Sequence, residues 1–260
     1  MATRRSIRLI HTSDTHLGDD WDPLAAQRAL SAVVDGVHLY HADALLIAGD
    51  VFDNARISDA VLEFFVSEMA RAVVPAIILP GNHDLYDAES LYHRSPFGDG
   101  PDNLHVIAGT RGETLTFPHL TLEVWGRAMN SHTPEFRPLA GIPPERPPEV
   151  DHWRVAIAHG HYHYPDDTEE RSSPIHPHEV AEANCDYIAL GHWERFEDVS
   201  QGGVTAFYSG SPMGASSARD KIAVNVVELD PALANRPNVY QISVPMSAES
   251  AAPPAIAADN

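Results

Sequence analysis

Short apolar runs alternate along the chain with stretches in which apolar residues recur every three or four positions, a pattern that predicts an α/β fold. Residues 7–10 read as a first strand, and the compact apolar runs 44–48 and 76–79 read as buried strands. Between them, Leu30, Val33, Val34 and Val37 mark the inner stripe of a helix over 24–40. Val61, Leu62, Phe65, Val66 and Met69 mark another, running from Ser58 as N-cap to about residue 72. Shorter extended pieces follow at 104–108, 113–117 and 120–125, and strands resume at 155–158, 187–190, 204–208, 222–229 and 239–244. Residues 130–151 carry Pro134, Pro138, Pro143, Pro144, Pro147 and Pro148 and read as a long surface loop, either a connection or the border of a site. Residues 1–246 read as one domain. Residues 247–260, dominated by Ala, Ser and Pro, read as a disordered tail.

Composition narrows the class. With 43% apolar residues in 260, the chain has ample material for a full core. No apolar run approaches the roughly 20 residues that span a bilayer, so no membrane partner is expected. The first residues lead directly into a strand, which argues against a cleaved leader. Cys185 is the only cysteine, excluding an internal disulfide and a cysteine-based zinc site, and the cytoplasm is the expected compartment. Seventeen Lys plus Arg stand against 37 Asp plus Glu, for a net charge of −20. Such a surface repels polyanions unless it is locally reversed, which argues against tight non-specific binding to long duplex DNA.

Five polar clusters each follow an apolar strand: Asp14-Thr15-His16, Gly49-Asp50-Val51-Phe52-Asp53, Gly81-Asn82-His83-Asp84, His159-Gly160-His161 and Gly191-His192-Trp193-Glu194. The carboxyl ends of parallel strands are where open α/β sheets bind ligands, so the five can converge on one site. Each piece alone is an ordinary turn or surface group; the ordered set is not. Its donors are oxygen and imidazole nitrogen without sulfur, which suits Mn²⁺, Fe or Zn²⁺, with the oxygen content leaning toward Mn²⁺. A carboxylate such as Asp50 can bridge two cations roughly 3.5–4 Å apart, the spacing of two-metal sites. Arg127, just past the strand ending at Trp125, reads either as a contact to substrate phosphate or as a surface ion pair.

These motifs resemble the calcineurin-like metallophosphoesterase superfamily, and their wording is similar to its SbcD-like DNA-repair nuclease branch. The carriers are His11-Thr12-Ser13-Asp14-Thr15-His16-Leu17-Gly18, Gly49-Asp50-Val51-Phe52-Asp53, Gly81-Asn82-His83-Asp84, Leu190-Gly191-His192 and Tyr208-Ser209-Gly210-Ser211-Pro212, spread over residues 6–230. The resemblance implies two packed mixed β-sheets flanked by helices, a four-layer sandwich. It also implies two divalent ions: Asp14 and His16 on the first, Asp50 bridging, and Asn82, His159 and His192 on the second. His83 is then expected beside the substrate phosphate as cation or general acid, with Asp53 orienting it. His161 is an alternative to His159. The superfamily pattern Gly-His-x-His reads here Gly191-His192-Trp193-Glu194, so Glu194 stands where a ligand of the first metal is expected, either as an oxygen donor or as a lost ligand.

The expected reaction is metal-assisted hydrolysis of a phosphate ester. Three functions stay open: a DNA or nucleotide phosphodiesterase, a small-molecule phosphatase or phosphodiesterase, and a non-catalytic scaffold. The motifs favour the first. The acidic charge and the absence of the further DNA-facing region usual in SbcD-like nucleases favour the second.

Overall fold

The structure, a computed structural model, describes residues 4–19, 22–144, 151–169, 171–213, 221–233 and 236–246. The expected tail at 247–260, and Pro147 and Pro148 of the proline-rich loop, lie outside the described residues. The strands are β1 (Ile7–Thr12), β2 (Ala44–Ala48), β3 (Ala76–Leu79), β4 (Leu104–Val106), β5 (Glu113–Phe117), β6 (Leu122–Gly126), β7 (Trp153–His159), β8 (His161–Tyr162), β9 (Pro174–Ile175), β10 (Tyr187–Gly191), β11 (Glu197–Asp198), β12 (Thr205–Tyr208), β13 (Lys221–Leu229) and β14 (Asn238–Pro245). The helices are α1 (Pro23–Leu39), α2 (Asp59–Ala72) and α3 (Pro177–Glu182). One six-stranded sheet runs β14-β13-β1-β2-β3-β4 and a second runs β11-β12-β10-β7-β6-β5, while β8 and β9 form a separate pair. Both large sheets are mixed. β1 is parallel to β2 and antiparallel to β13, and β7 is parallel to β6 and β10.

Alternation along β2 shows why the sheets stack. Leu45 and Ile47 belong to the core under α1 and α2, with Leu30, Val33, Leu62, Phe65 and Met69. Ala44, Leu46 and Ala48 point the other way, into a core shared with Val124, Val155, Ile157 and Ala189 of the second sheet. A strand apolar on both faces is therefore sandwiched, as its unbroken apolar run predicts. The outer face of the second sheet buries Ala156, Ile188 and Ala206 against Leu139, Tyr162, Val180 and Cys185. Leu139, from the proline-rich segment, packs here, while His132 of the same segment lies beside His192, so its described part both connects elements and borders the site.

Local chemistry sets the helix ends. The Asp22 carboxylate accepts from the Ala25 N–H at 3.1 Å, and Pro23 occupies the first turn of α1, where a missing N–H costs nothing. Ser58 stands at the N-cap of α2 as expected, yet its side chain makes no capping hydrogen bond. Its carbonyl instead accepts from Val61 and Leu62.

Candidate metal centre

The carboxyl ends of β1, β2, β3, β7 and β10 meet where the two sheets adjoin. Register does much of the positioning. β2 and β3 end in step, with Ala48 opposite Leu79, and β7 and β10 end with His159 opposite Gly191. Beyond β1 the chain keeps bonding to the segment after β2: the Asp14 N–H donates to Gly49 O at 3.0 Å, His16 to Asp50 O at 3.1 Å and Leu17 to Val51 O at 2.8 Å. Asp14, His16, Asp50 and His192 all have positive φ, at 53°, 44°, 50° and 100°. Left-handed backbone at four non-glycine residues costs on the order of 1–3 kcal/mol each, and such strain gathers where side chains must be aimed.

Two glycines admit the close approaches. A Cβ on Gly49, at φ +90°, would lie 2.1 Å from His159 Nδ1, and one on Gly191 would lie 1.9 Å from the Ala48 carbonyl oxygen. The second sheet can thus press its ligand-bearing loops against the first only because no side chain intervenes.

The side chains form two overlapping donor sets, each with its donor atoms within 4.8 Å: Asp14, His16 and Asp50, and Asp50, His159 and His192. Asp50 is common to both. Asn82 joins the second set, its Oδ1 lying 3.0 Å from His159 Nε2 and 3.0 Å from His192 Nδ1. A third set, His16, Asp53 and His83, adjoins the first. The cleft encloses about 450 Å³ and is also lined by Asp19, Glu194, Ser211 and Met213.

Electrostatics follow from burial and proximity. Burial raises the Asp14 carboxyl above the usual range, and the nearby Asp50 charge adds to that, only partly opposed by His159. Burial pushes Asp50 the same way, but the His159 ring at 3.3 Å and the His83 N–H at 2.9 Å outweigh it and hold the group well below the carboxylate range. Burial disfavours a charged His159, yet Asp50 overrides it and carries the imidazole up to about 9. The raised His159 and lowered Asp50 favour a protonated imidazole paired with the carboxylate, a compensation that a divalent ion held by the same residues would supply in its place.

The residues fit such an ion. Four donor atoms (Asp50 Oδ2, Asn82 Oδ1, His159 Nε2 and one His192 ring nitrogen) crowd around one another rather than finding separate partners. His16 Nδ1 is buried with no hydrogen-bond partner, 3.4 Å from Asp53 Oδ1. His159 Nδ1 lies 2.8 Å from the Ala48 carbonyl, which fixes the tautomer so that Nε2 faces the cluster.

Other sequence-derived candidates land differently. His161 is in none of these donor sets; its Nδ1 accepts from Trp193 Nε1 at 3.2 Å. Asp53 meets His83 mainly through its backbone: His83 Nδ1 is 2.7 Å from the Asp53 carbonyl and 4.0 Å from its carboxylate. Glu194 is exposed and lines the cleft, but its carboxylate belongs to none of the three donor sets. Arg127 donates to the carbonyls of Thr110 and Arg137 at 3.0 and 2.9 Å and lies over Phe136, away from the cleft-lining residues. Among the described residues it forms no ion pair, and it is not one of the residues lining the cleft.

Several supporting residues escape a reading of the sequence. Asp84 accepts from the N–H groups of Gly81, Val51 and Phe52 and from the Tyr92 hydroxyl, tying the loops after β2 and β3 together. Burial, with the Asp50 charge added, lifts its carboxyl to about 6. Ser13 hydrogen-bonds Asp14 Oδ2 and lies 2.8 Å from Ser209 Oγ, so Ser209 of the Tyr208-Ser209-Gly210-Ser211-Pro212 motif acts at one remove. The His192 N–H holds the same Asp14 oxygen at 3.0 Å. His132, without motif context in the sequence, faces His192 with ring centroids 5.7 Å apart.

Two mixed sheets whose strand ends converge on shared carboxylate, imidazole and amide donors define a metallophosphoesterase. The chain belongs to the calcineurin-like phosphoesterase family, whose model matches residues 7–195. It is 23% identical to the SbcD subunit of the nuclease SbcCD from Bacillus subtilis (strain 168) over 266 aligned positions, covering 86% of this chain and 66% of that protein. Against the same subunit from Escherichia coli (strain K12) it is 29% identical over 85 positions, 30% of this chain and 21% of that protein. The chain therefore spans just under two thirds of the first relative's length, and the match to the second covers about a fifth of it. Its fold is like that of TT1561 of Thermus thermophilus, with a TM-score of 0.54 at 13% identity over 90% of this chain and 98% of that one. Among the described residues no helix is long and apolar enough to cross a membrane.

Proposed function

We propose that residues 1–246 form one catalytic domain, a dinuclear metal-dependent hydrolase of phosphodiesters acting on DNA or nucleotides in the cytoplasm. The observation that carries this reading is the sharing of Asp50 between two donor sets, which makes one carboxylate the natural bridge of a metal pair. Asp14 and His16 would hold the first ion with Asp50, and Asn82, His159 and His192 the second. Glu194 would serve the first ion from the rim, through a water. The donor set, hard in its oxygens and borderline in its nitrogens, favours Mn²⁺ over Fe or Zn²⁺. Bound there, the two ions supply Lewis-acid chemistry, acidifying a water and offsetting charge on the phosphoryl oxygens.

The chain's own residues do the rest. With Nδ1–H of His83 donated to the Asp53 carbonyl, Nε2 is the atom that carries a proton toward the leaving ester oxygen. Buried Asp84 keeps the Asn82 and His83 loop against the loop of Asp50. The likeness to SbcD subunits supports DNA as substrate. A second reading, a small-molecule phosphodiesterase or phosphatase, draws on one observation: among the described residues, no Lys or Arg lines the metal cleft.

A hydrolysis panel with added Mn²⁺ tests the proposal, using bis-p-nitrophenyl phosphate, p-nitrophenyl phosphate, cyclic nucleotides, and single- and double-stranded DNA. Diester cleavage with little monoester cleavage is expected, and DNA turnover separates the first reading from the second. No hydrolysis of any member by metal-loaded protein would overturn both.

A further inference from the structure

Next to the metal cleft lies a second cavity of about 530 Å³, lined by His161, Tyr164, Asp167, Arg171, Trp193 and Arg195. It shares His192 and Glu194 with the cleft, so the two are adjoining compartments, and His83 lines only the first. Its volume falls in the ~300–1,000 Å³ range of sites for small organic molecules.

Its chemistry differs from that of the cleft. Trp193 stacks on the buried Tyr208 ring at 4.5 Å and 18°, and its Nε1 donates to His161, so the indole is held from behind and from its edge. Tyr164 lies nearly parallel to Trp193 at 5.8 Å and 27°, and 38% of it is exposed. The Tyr164 hydroxyl donates to Glu197, which pairs with Arg195, and the Arg195 guanidinium lies over Trp193 at 4.6 Å. Arg171 and Arg195 line this cavity together with the carboxylates Asp167 and Glu194, and Arg171 also pairs with Glu169 at 3.3 Å. Organised aromatic faces beside guanidinium groups, whose charge the neighbouring carboxylates balance, suit a flat π-system.

We propose that this cavity is a subsite for an aromatic, nucleobase-sized ester substituent, held against Tyr164 and Trp193 while its phosphate lies over the metal centre. Arg171 and Arg195 face the anionic groups that accompany it. The substituent occupies the side of the phosphorus away from His83. This inference rests on the phosphodiester reading above and assigns its specificity to residues 164, 171, 193 and 195. Stacking would also hold a nucleotide on a strongly acidic protein, where charge alone cannot.

The test compares adenosine 5′-monophosphate with ribose 5-phosphate by calorimetric titration into the Mn²⁺-loaded protein, wild type and Tyr164→Ala. It also compares hydrolysis of bis-p-nitrophenyl phosphate with that of methyl p-nitrophenyl phosphate, which share a leaving group. The adenosine ligand should bind on the order of tenfold tighter than the ribose one, and Tyr164→Ala should remove most of that margin while Tyr164→Phe restores it. The KM advantage of the bis-aryl diester should shrink by a similar factor in Tyr164→Ala. Equal binding of the two phosphates by wild type, or an unchanged margin in Tyr164→Ala, would overturn the subsite. If no diester is hydrolysed, the catalytic reading fails, and the titration still decides the subsite.

Discussion

The wall of the metal cleft built by the loops after β1, β2 and β3 carries the carboxylates Asp14, Asp50 and Asp53. Asp14, His16 and Asp50 on this wall have left-handed backbone, and Asp84 binds its loops from beneath. The wall built by the loops after β7 and β10 supplies imidazoles from His159 and His192, then opens at exposed Glu194 into the aromatic cavity. The first wall is fixed by many backbone hydrogen bonds and has little room to vary. The second is anchored at two histidines, of which His192 also has positive φ, and beyond Trp193 it offers the exposed side chains of Glu194 and Arg195. On the proposed reading the difference separates two tasks: the first wall carries the shared carboxylate and the proton donor, and the second adds two imidazoles and meets the part of the substrate that differs between substrates.

Substitutions on each wall can sharpen or break that division. The largest effect should come from His83→Ala, with kcat lower by roughly 10²–10⁴-fold at unchanged metal content, since a positioned general acid contributes that much. Loss of metal in this variant would make His83 a ligand instead. Asp53→Ala should cost far less, because its carbonyl rather than its carboxylate holds His83. Next comes the joint between the walls. Gly191→Ala forces a methyl against the Ala48 carbonyl and should lower stability by about 1–3 kcal/mol, read as a fall in Tm. Gly203→Ala, with no atom within 4 Å of the added Cβ, is the control and should leave Tm in place.

Ser13→Ala removes the hydroxyl that holds Asp14 Oδ2 and should weaken metal binding about 10–100-fold, the usual cost of losing a ligand's support. An unchanged titration would show that the His192 N–H suffices to hold Asp14. The smallest effect belongs to the open wall. Glu194→Ala should weaken one metal by less than Ser13→Ala does, and Glu194→His should move the preference from Mn²⁺ toward Zn²⁺. If Glu194→Ala titrates and turns over like wild type, the carboxylate is a bystander.

Much of this is legible in the sequence because the first wall is written in local patterns. β2 can be read to the residue, since an apolar run bounded by Asp43 and Gly49 leaves one reading. Asp14, His16, Asp50 and Asn82 lie directly after strands whose ends the parallel register then aligns. The two-residue strands β8, β9 and β11 and the six-residue helix α3 are too short to show a period. The link from Ser13 to Ser209 and the hydrogen bonds from Val51 and Phe52 to Asp84 join distant segments, which no local pattern records. Trp193 and Tyr164 form a stacked pair only because the segment after β8 and the loop after β10 lie side by side.

Metal stoichiometry tests the central claim most directly. Wild type and Asp50→Asn would be dialysed against Mn²⁺, cleared of free ion and measured by elemental analysis. If Asp50 bridges a pair, wild type retains about two ions per chain, and Asp50→Asn loses both together with activity. Wild type retaining well below one ion per chain, or Asp50→Asn retaining two, would contradict the shared-carboxylate centre.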